Sequence, residues 1–484
     1  MHPSRSRPLG MLARRRALFA IVLAFGVVLL VFTLLPASEP ANSLPYAADA
    51  AVPGRDGARA PPALQATLDD LYANFTRVWS AHSGSPPTPI YGGPALTLAQ
   101  VERYSHLKRP PPTRAMKIKA GADGHALKPK FMITTLTRNI GDQLPDLLNA
   151  LAVLVAFLGP DHVSFSFVEG PSGDPSPFVL DEVLVPLLRH LGVPAAQIRV
   201  DTNAPEINFA NVNRIEQLAS LRNAALEPLW ADNDIGYLAR TPERRRRMVG
   251  ADVVAVVFFN DVFLHAADIL EVLHQHVTAK GVTMGTGITT AWDWMERNPA
   301  YFYDVWVART IDTGDLFYPI DQPSWSPSDD ILPGSEYSKT RYEGLQPFQV
   351  YSAWNGLAVL SPTPFLPPFN VRFRRGNTAK GECAASECTL VAADFWKYNW
   401  GRVQVVPSVQ VAYQRKPAIE TALELRKAQD KLGWKDGVPP KNRDTTVAWE
   451  FGAPDEVRCH PWPEKNGLDA NVWAKTEWVK PYLL

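Results

Sequence analysis

Asp252 to Asn260 reads DVVAVVFFN, an unbroken apolar run with a polar residue at each end. A strand with one wet face alternates apolar and polar residues. This run does not alternate, so it is buried on both faces, as in the middle of a parallel sheet. Asn260-Asp261-Val262 follows, and then an amphipathic helical pattern from about Leu264 to Val277. Working upstream, Phe131–Thr137, Val163–Glu169 and Ile198–Asp201 read as strands, with helical patterns over Gln143–Leu158 and Phe178–Leu191 between them. The order β-α-β-α-β predicts an α/β domain with a mostly parallel sheet.

Ligands of such sheets bind outside the carboxyl ends of the strands. The loops expected there carry Thr137-Arg138-Asn139 and the run from Glu169 to Asp174, which makes Arg138, Glu169 and Asp174 nucleotide-site candidates. Neither GxGxxG nor GxxxxGK[ST] occurs, so the phosphate-cradling glycines of a dinucleotide fold and of a P-loop are both missing. Asp261 stands at the carboxyl end of the most apolar strand, where a carboxylate can hold a divalent cation that also ligates phosphate oxygens. The same position suits a helix cap, and the residue alone does not choose. His265, His274 and His276 do not form HExxH, and the last two point to different faces of the helix, so zinc is not expected.

A further helix is expected from about Asn211 to Trp230. Its apolar stripe of Leu218, Ala225 and Leu229 includes Arg222. A cation there requires a partner, either a structural carboxylate or a bound diphosphate, which suits a planar guanidinium. The run Arg244–Arg247 reads as a solvated loop face.

The 484 residues carry 49 Lys+Arg and 49 Asp+Glu, which leaves no basic excess for nucleic acid. The uncharged run Ala17–Leu35 would span roughly 28 Å as a helix at about 1.5 Å per residue, enough to cross a bilayer. Arg5, Arg7, Arg14, Arg15 and Arg16 precede it, so the chain is expected as a type II protein, with residues 1–16 cytosolic and 17–35 an anchor. A cleaved signal peptide is the rival, but the apolar run exceeds the usual h-region length. Residues 36–127 are rich in Pro, Ala and Gly and read as a stalk, within which Leu64–Trp79 has helical spacing. Asn74-Phe75-Thr76 is an N-glycosylation sequon if luminal. Cys383, Cys388 and Cys459 allow one disulfide, with the pairing undecided.

Ordered blocks across the chain carry a resemblance: LRNAALEPL (221–229), VVFFNDVFL (256–264), AWDW (291–294), FYDVWVARTIDTG (302–314), PFQVYSAWNGLAVL (347–360) and SECTLVAADFWKYNWGRVQVVPSVQVAY (386–413). In these the chain resembles the fungal α-1,3-mannosyltransferase family that includes the cryptococcal mannosyltransferase and capsule-associated proteins. The resemblance implies a GT-A-like glycosyltransferase domain over residues 128–420, a C-terminal extension over 421–484 packed on it, and a Golgi-lumenal location. It implies GDP-mannose as donor, Mn2+ or Mg2+ as cofactor and a mannose-containing glycan as acceptor. Asn260-Asp261-Val262 takes the place of the DxD motif, with Asp261 as metal ligand and Asn260 beside the donor. Arg222 and Asn223 are placed at the nucleotide or sugar phosphate, and Glu169 and Asp174 at the base and ribose.

Acceptor contacts are placed at Trp354, Asn355 and Arg309. Reaction chemistry is placed at Glu387 and Asp293, the latter in a polar cluster with Asp304, Arg309 and Asp312. Because an α product from an α donor retains configuration, Glu387 is expected to orient the acceptor or the reacting sugar; its bland alternative is a surface Glu beside a disulfide. Trp292, Trp294, Trp306 and Trp354 are offered as faces for sugar rings or as core. A non-catalytic relative that assists polysaccharide synthesis or export is the alternative to an enzyme.

Overall fold

In a computed structural model of the protein, the structure describes residues 61–91, 95–108, 130–207, 212–230, 253–279, 285–318, 328–443, 445–462 and 476–483. Every described residue belongs to the compact unit Ala51–Leu484. Helix α1 (Pro62–His82) and the short α2 (Leu98–Arg103) precede β1 (Phe131–Thr137), α3 (Leu144–Leu158) and β2 (Val163–Glu169). Next come α4 (Ser176–Val179), a π-helical turn (Leu180–Leu184), α5 (Val185–His190), β3 (Ile198–Asp201), α6 (Arg214–Leu226), β4 (Ala255–Phe259) and α7 (Ala266–Thr278). The second half holds β5 (Ile288–Glu296), β6 (Tyr301–Phe302), β7 (Arg309–Thr310), α8 (Glu336–Glu343), β8 (Phe348–Ser352) and β9 (Leu357–Leu360). It closes with α9 (Glu387–Lys397), β10 (Val403–Ala412), α10 (Arg415–Lys431), β11 (Val457–Cys459) and β12 (Glu477–Val479).

The fold is mixed α/β around one large, mostly parallel sheet, ordered β3-β2-β1-β4-β9-β5-β10-β8-β7 with β6 on β5. Strands β3, β2, β1 and β4 pair in parallel. β9 runs antiparallel between β4 and β5, and β5 pairs in parallel with β10. Two reversals restore direction, so β1, β2, β4, β5 and β10 all end on the same edge of the sheet. The start of antiparallel β9 reaches that edge as well. Continuous apolar composition explains the central position of β4, and every residue of β2, β4 and β10 is buried, the polar side chains of β2 and β10 included.

The expected strand Asp252–Asn260 is shorter in the structure. Val254 is exposed, pairing begins at Ala255, and Asp252 lies outside the described residues. The helix expected to Trp230 stops at Leu226 and ends in a 3-10 turn, Glu227–Leu229, where Pro228 has no amide to continue the ladder.

The described part of the Pro-rich leader is folded onto the sheet's helical layer. Leu68, Leu71, Phe75, Val78 and Trp79 of α1 are buried against α3 and the segment after β2. Inside α3, Asp146 accepts the backbone amides of Ile90 and Tyr91 at 3.0 to 3.1 Å, and burial pushes its carboxyl up to about 6. Arg103 of α2 grips buried Glu271 of α7 with two hydrogen bonds of 2.7 and 2.8 Å. At the other end, Cys383 bonds Cys459, which joins β11 to the segment before α9 and leaves Cys388 as a buried thiol. This resolves the pairing that the sequence left open.

No helix among the described residues is long and apolar enough to cross a membrane. The expected anchor Ala17–Leu35 and the run Arg244–Arg247 lie outside the described residues.

Candidate active site at the carboxyl edge

Asp261 leaves the sheet at a tight turn. The amide of Asn260 donates to Gly356 O at 2.8 Å, Val262 N returns to Asn260 O at 2.9 Å, and Phe263 N reaches Ala412 O at 2.9 Å. Val262 and Phe263 go back into the core, while Asp261 stays exposed after half-buried Asn260. Surrounding protein still desolvates its carboxyl enough to raise the pKa, with the charges of Arg222 and Arg214 opposing that rise. The carboxyl is thus reached by solvent and flanked by protein. The helix-cap alternative falls away, because His265 caps α7: its Nδ1 accepts Ala267 N at 3.2 Å and its own amide donates to Asp268 at 2.7 Å.

Arg222 sits at the centre of the ground beneath Asp261. Its Nε donates to Glu387 Oε1 at 2.9 Å, and its guanidinium carbon lies 4.4 Å from the ring centre of Trp354, 5.2 Å from Phe258 and 5.7 Å from Phe373. Both partners are buried. Of the two readings open for Arg222, a structural ion pair is the one found. Glu387 opens α9 under the cap of Ser386 and is committed to Arg222, so it is neither a surface residue nor a free base. Burial pushes the adjacent Cys388 thiol up.

Asn260 has both ends of its amide engaged. Its oxygen accepts Trp354 Nε1 at 3.1 Å with Arg222 Nη1 at 3.5 Å, and its nitrogen donates to Tyr413 Oη at 3.2 Å. Tyr413 donates in turn to Asp293 Oδ2 at 3.0 Å. Asp293 is fully buried behind that phenol, where burial and nearby Asp304 hold its carboxyl well above the usual range. It therefore has no route to a substrate. Asp304 accepts Asn355 N at 2.8 Å, and burial raises its pKa to about 6. Tyr303 packs its ring 4.0 Å from that of Tyr413.

Several expected contacts are internal instead. Asn223 pairs both ends of its amide with the backbone of Phe373, at 2.8 and 3.0 Å. Asn355 is a fully buried turn residue with φ 53°, donating to Ala291 O at 2.9 Å. Arg309, also buried, donates to the carbonyls of Arg458, Val305 and Ala308. Asp174 accepts the amides of Gly141 and Ser176 at 2.8 and 3.0 Å, capping local backbone. Glu169 is fully buried under the hydroxyls of Thr137 and Ser172, and burial pushes its carboxyl up to about 7. Asp312 accepts Ser335 Oγ. Trp292, Trp294 and Trp354 are core, while half-buried Trp306 stacks on His460 with ring centres 3.8 Å apart.

The structure thus gathers Asp261, Asn260, Arg222, Trp354, Glu387 and Asp293 into one network, with exposed Arg138 on the neighbouring loop, where its Nε holds Pro171 O at 3.1 Å. Sequence reasoning missed Tyr413, Tyr303 and Arg214. Tyr413 follows the valine-rich stretch Val403–Ala412, which was the available signal for a site residue at a strand end. Arg214 opens α6, and its charge acts on both Asp261 and Tyr303.

Among the described residues no group of three or more His, Cys, Asp and Glu converges on a metal position. With the oxygen of Asn260 engaged, Asp261 is the carboxylate left to receive a cation. That donor set fits an ion shared with substrate phosphates and water, the way Mg2+ is usually bound, rather than an all-protein cage.

The model of the family described as Cryptococcal mannosyltransferase 1 matches residues 130–394, from β1 through most of α9. The alpha-1,3-mannosyltransferase CMT1 of Cryptococcus neoformans var. neoformans serotype D is 50% identical over 396 residues, which cover 82% of this chain and 78% of that protein.

Proposed function

Because this chain belongs to the cryptococcal mannosyltransferase family, we propose that it transfers mannose from GDP-mannose to a mannose-containing glycan, forming an α-1,3 linkage, with Asp261 and a divalent cation at the donor diphosphate. The membership makes it a glycosyltransferase of the mannosyltransferase class. The observation that carries the site assignment is Asp261, the exposed carboxylate between half-buried Asn260 and buried Val262 where β4 ends.

On this reading the domain is GT-A-like. The donor lies across the carboxyl ends of β1, β2 and β4, with Arg138 at its nucleotide side and Arg214 beside Asp261. Mn2+ or Mg2+, when bound, would neutralise charge on the leaving diphosphate. Arg222 acts from below as a fixed positive charge: its pairing with Glu387 holds it in place, and the three aromatic rings around it exclude water. The donor is an α-glycoside and so is the product, so the acceptor oxygen bonds on the face the diphosphate leaves, and no general base on the opposite face is required. The fully buried position of Asp293 agrees with that requirement.

The enzyme is proposed to face the Golgi lumen, anchored as a type II protein by Ala17–Leu35. The Cys383–Cys459 disulfide is consistent with an oxidising compartment. Thermal melting tests the donor reading. GDP with Mn2+ at a hundredfold excess over its dissociation constant should stabilise the folded protein by about 2.7 kcal/mol. GDP alone should give less and UDP none. An unchanged melting temperature with millimolar GDP and Mn2+ would sink the reading.

A further inference from the structure

The sequence presents Asn260 where a second acid would complete a metal-binding pair, and the structure gives a reason for the amide. Its oxygen faces two donors, Trp354 Nε1 at 3.1 Å and Arg222 Nη1 at 3.5 Å. The nitrogen is thereby directed at Tyr413 Oη, 3.2 Å away. An amide nitrogen cannot accept, so the phenol proton of Tyr413 has one destination, Asp293 Oδ2 at 3.0 Å. The chain of hydrogen bonds runs one way, from Asn260 through Tyr413 to Asp293. Its far end is secured by burial, because Asp293 is fully enclosed. Gln143 braces the same two loops, its side-chain amide donating to Tyr413 O at 2.8 Å and lying 3.5 Å from Asp261 O.

We infer that Tyr413 and Asn260 are positioning residues: anchored on Asp293, they fix the direction in which Asp261 leaves β4, and neither touches donor or metal. The inference rests on the proposed donor site at Asp261. It also reverses the simplest expectation for an acid at position 260. An ionised aspartate there offers only acceptors, so it removes the donor that Asn260 Nδ2 supplies to Tyr413 Oη and competes with Asp293 for the phenol proton. It also sets a third carboxylate beside Asp293 and Asp304 and draws Arg222 from Glu387. Asn260→Asp is therefore a loss, although it restores the two-acid pattern on paper.

The test is calorimetric binding of GDP in the presence of Mn2+ at 20 °C to wild type, Tyr413→Phe and Asn260→Asp, with a melting curve of each protein without ligand. Tyr413→Phe keeps the ring that packs on Tyr303. Both variants should remain folded at 20 °C and bind GDP with Mn2+ about tenfold or more weakly, the usual cost of removing a residue that orients a metal ligand. A residue that only supports the fold would lower the melting temperature and leave the affinity of the folded protein unchanged. Wild-type affinity in both variants, tighter binding in Asn260→Asp, or failure of both to fold would overturn the inference. Absence of Mn2+-dependent GDP binding in the wild-type arm would instead overturn the donor site itself, and this inference with it.

Discussion

Asp261→Asn is expected to lower mannosyl transfer by about a thousandfold, the scale on which a pre-placed charge at a developing anion acts, with little change in melting temperature. The substitution keeps the shape and removes the charge. Nothing in the fold depends on that charge: His265 caps α7, and the turn at Asn260 is held by backbone hydrogen bonds to Gly356 and Ala412. Burial of Val262 and Phe263 continues to fix the chain that follows it. Initial rates with GDP-mannose and a mannose disaccharide, measured beside a thermal melt, separate the two effects. A variant with more than a tenth of wild-type activity would remove Asp261 from the centre of the site.

Glu387→Ala should act in the opposite way, on stability first. It strips the counter-charge from Arg222, which lies under Trp354, Phe258 and Phe373 with its side chain 9% exposed. Breaking a buried ion pair from one side leaves an uncompensated charge and costs about 3–5 kcal/mol. Urea unfolding measures that loss. The double variant Arg222→Met with Glu387→Ala should recover much of it, because two apolar side chains leave no orphan charge. If Glu387 instead acted on the substrate, Glu387→Gln would abolish transfer at wild-type stability. The geometry predicts partial activity on a weakened fold.

The difference between these residues shows what the sequence could disclose. Strands β1, β2 and β3 lie where the alternation of apolar runs and helical patterns places them, because that alternation is a local property of the sequence. The place of Asp261 just after β4 was legible for the same reason: the end of a continuous apolar strand is a local property. The state of Arg222 was not, since its carboxylate partner is 165 residues away in sequence. Tyr413 contacts residues 120 and 153 positions away, and only the order β4-β9-β5-β10 brings them to one edge.

Polar residues were misread for a related reason. Asn223, Asn355 and Arg309 satisfy backbone groups in irregular segments, and a side chain that serves a carbonyl reads the same in sequence as one that serves a ligand. The disulfide closes over 76 residues, a separation that no spacing rule selects.

The most direct measurement is the product itself. The purified protein is incubated with GDP-mannose, Mn2+ and an α-linked mannose disaccharide, and the linkage of the new residue is determined by methylation analysis and NMR. Formation of an α-1,3-linked mannose, lost in Asp261→Asn, is the predicted result; transfer from a different nucleotide sugar only, or the same product at full rate from the Asp261→Asn variant, would contradict it.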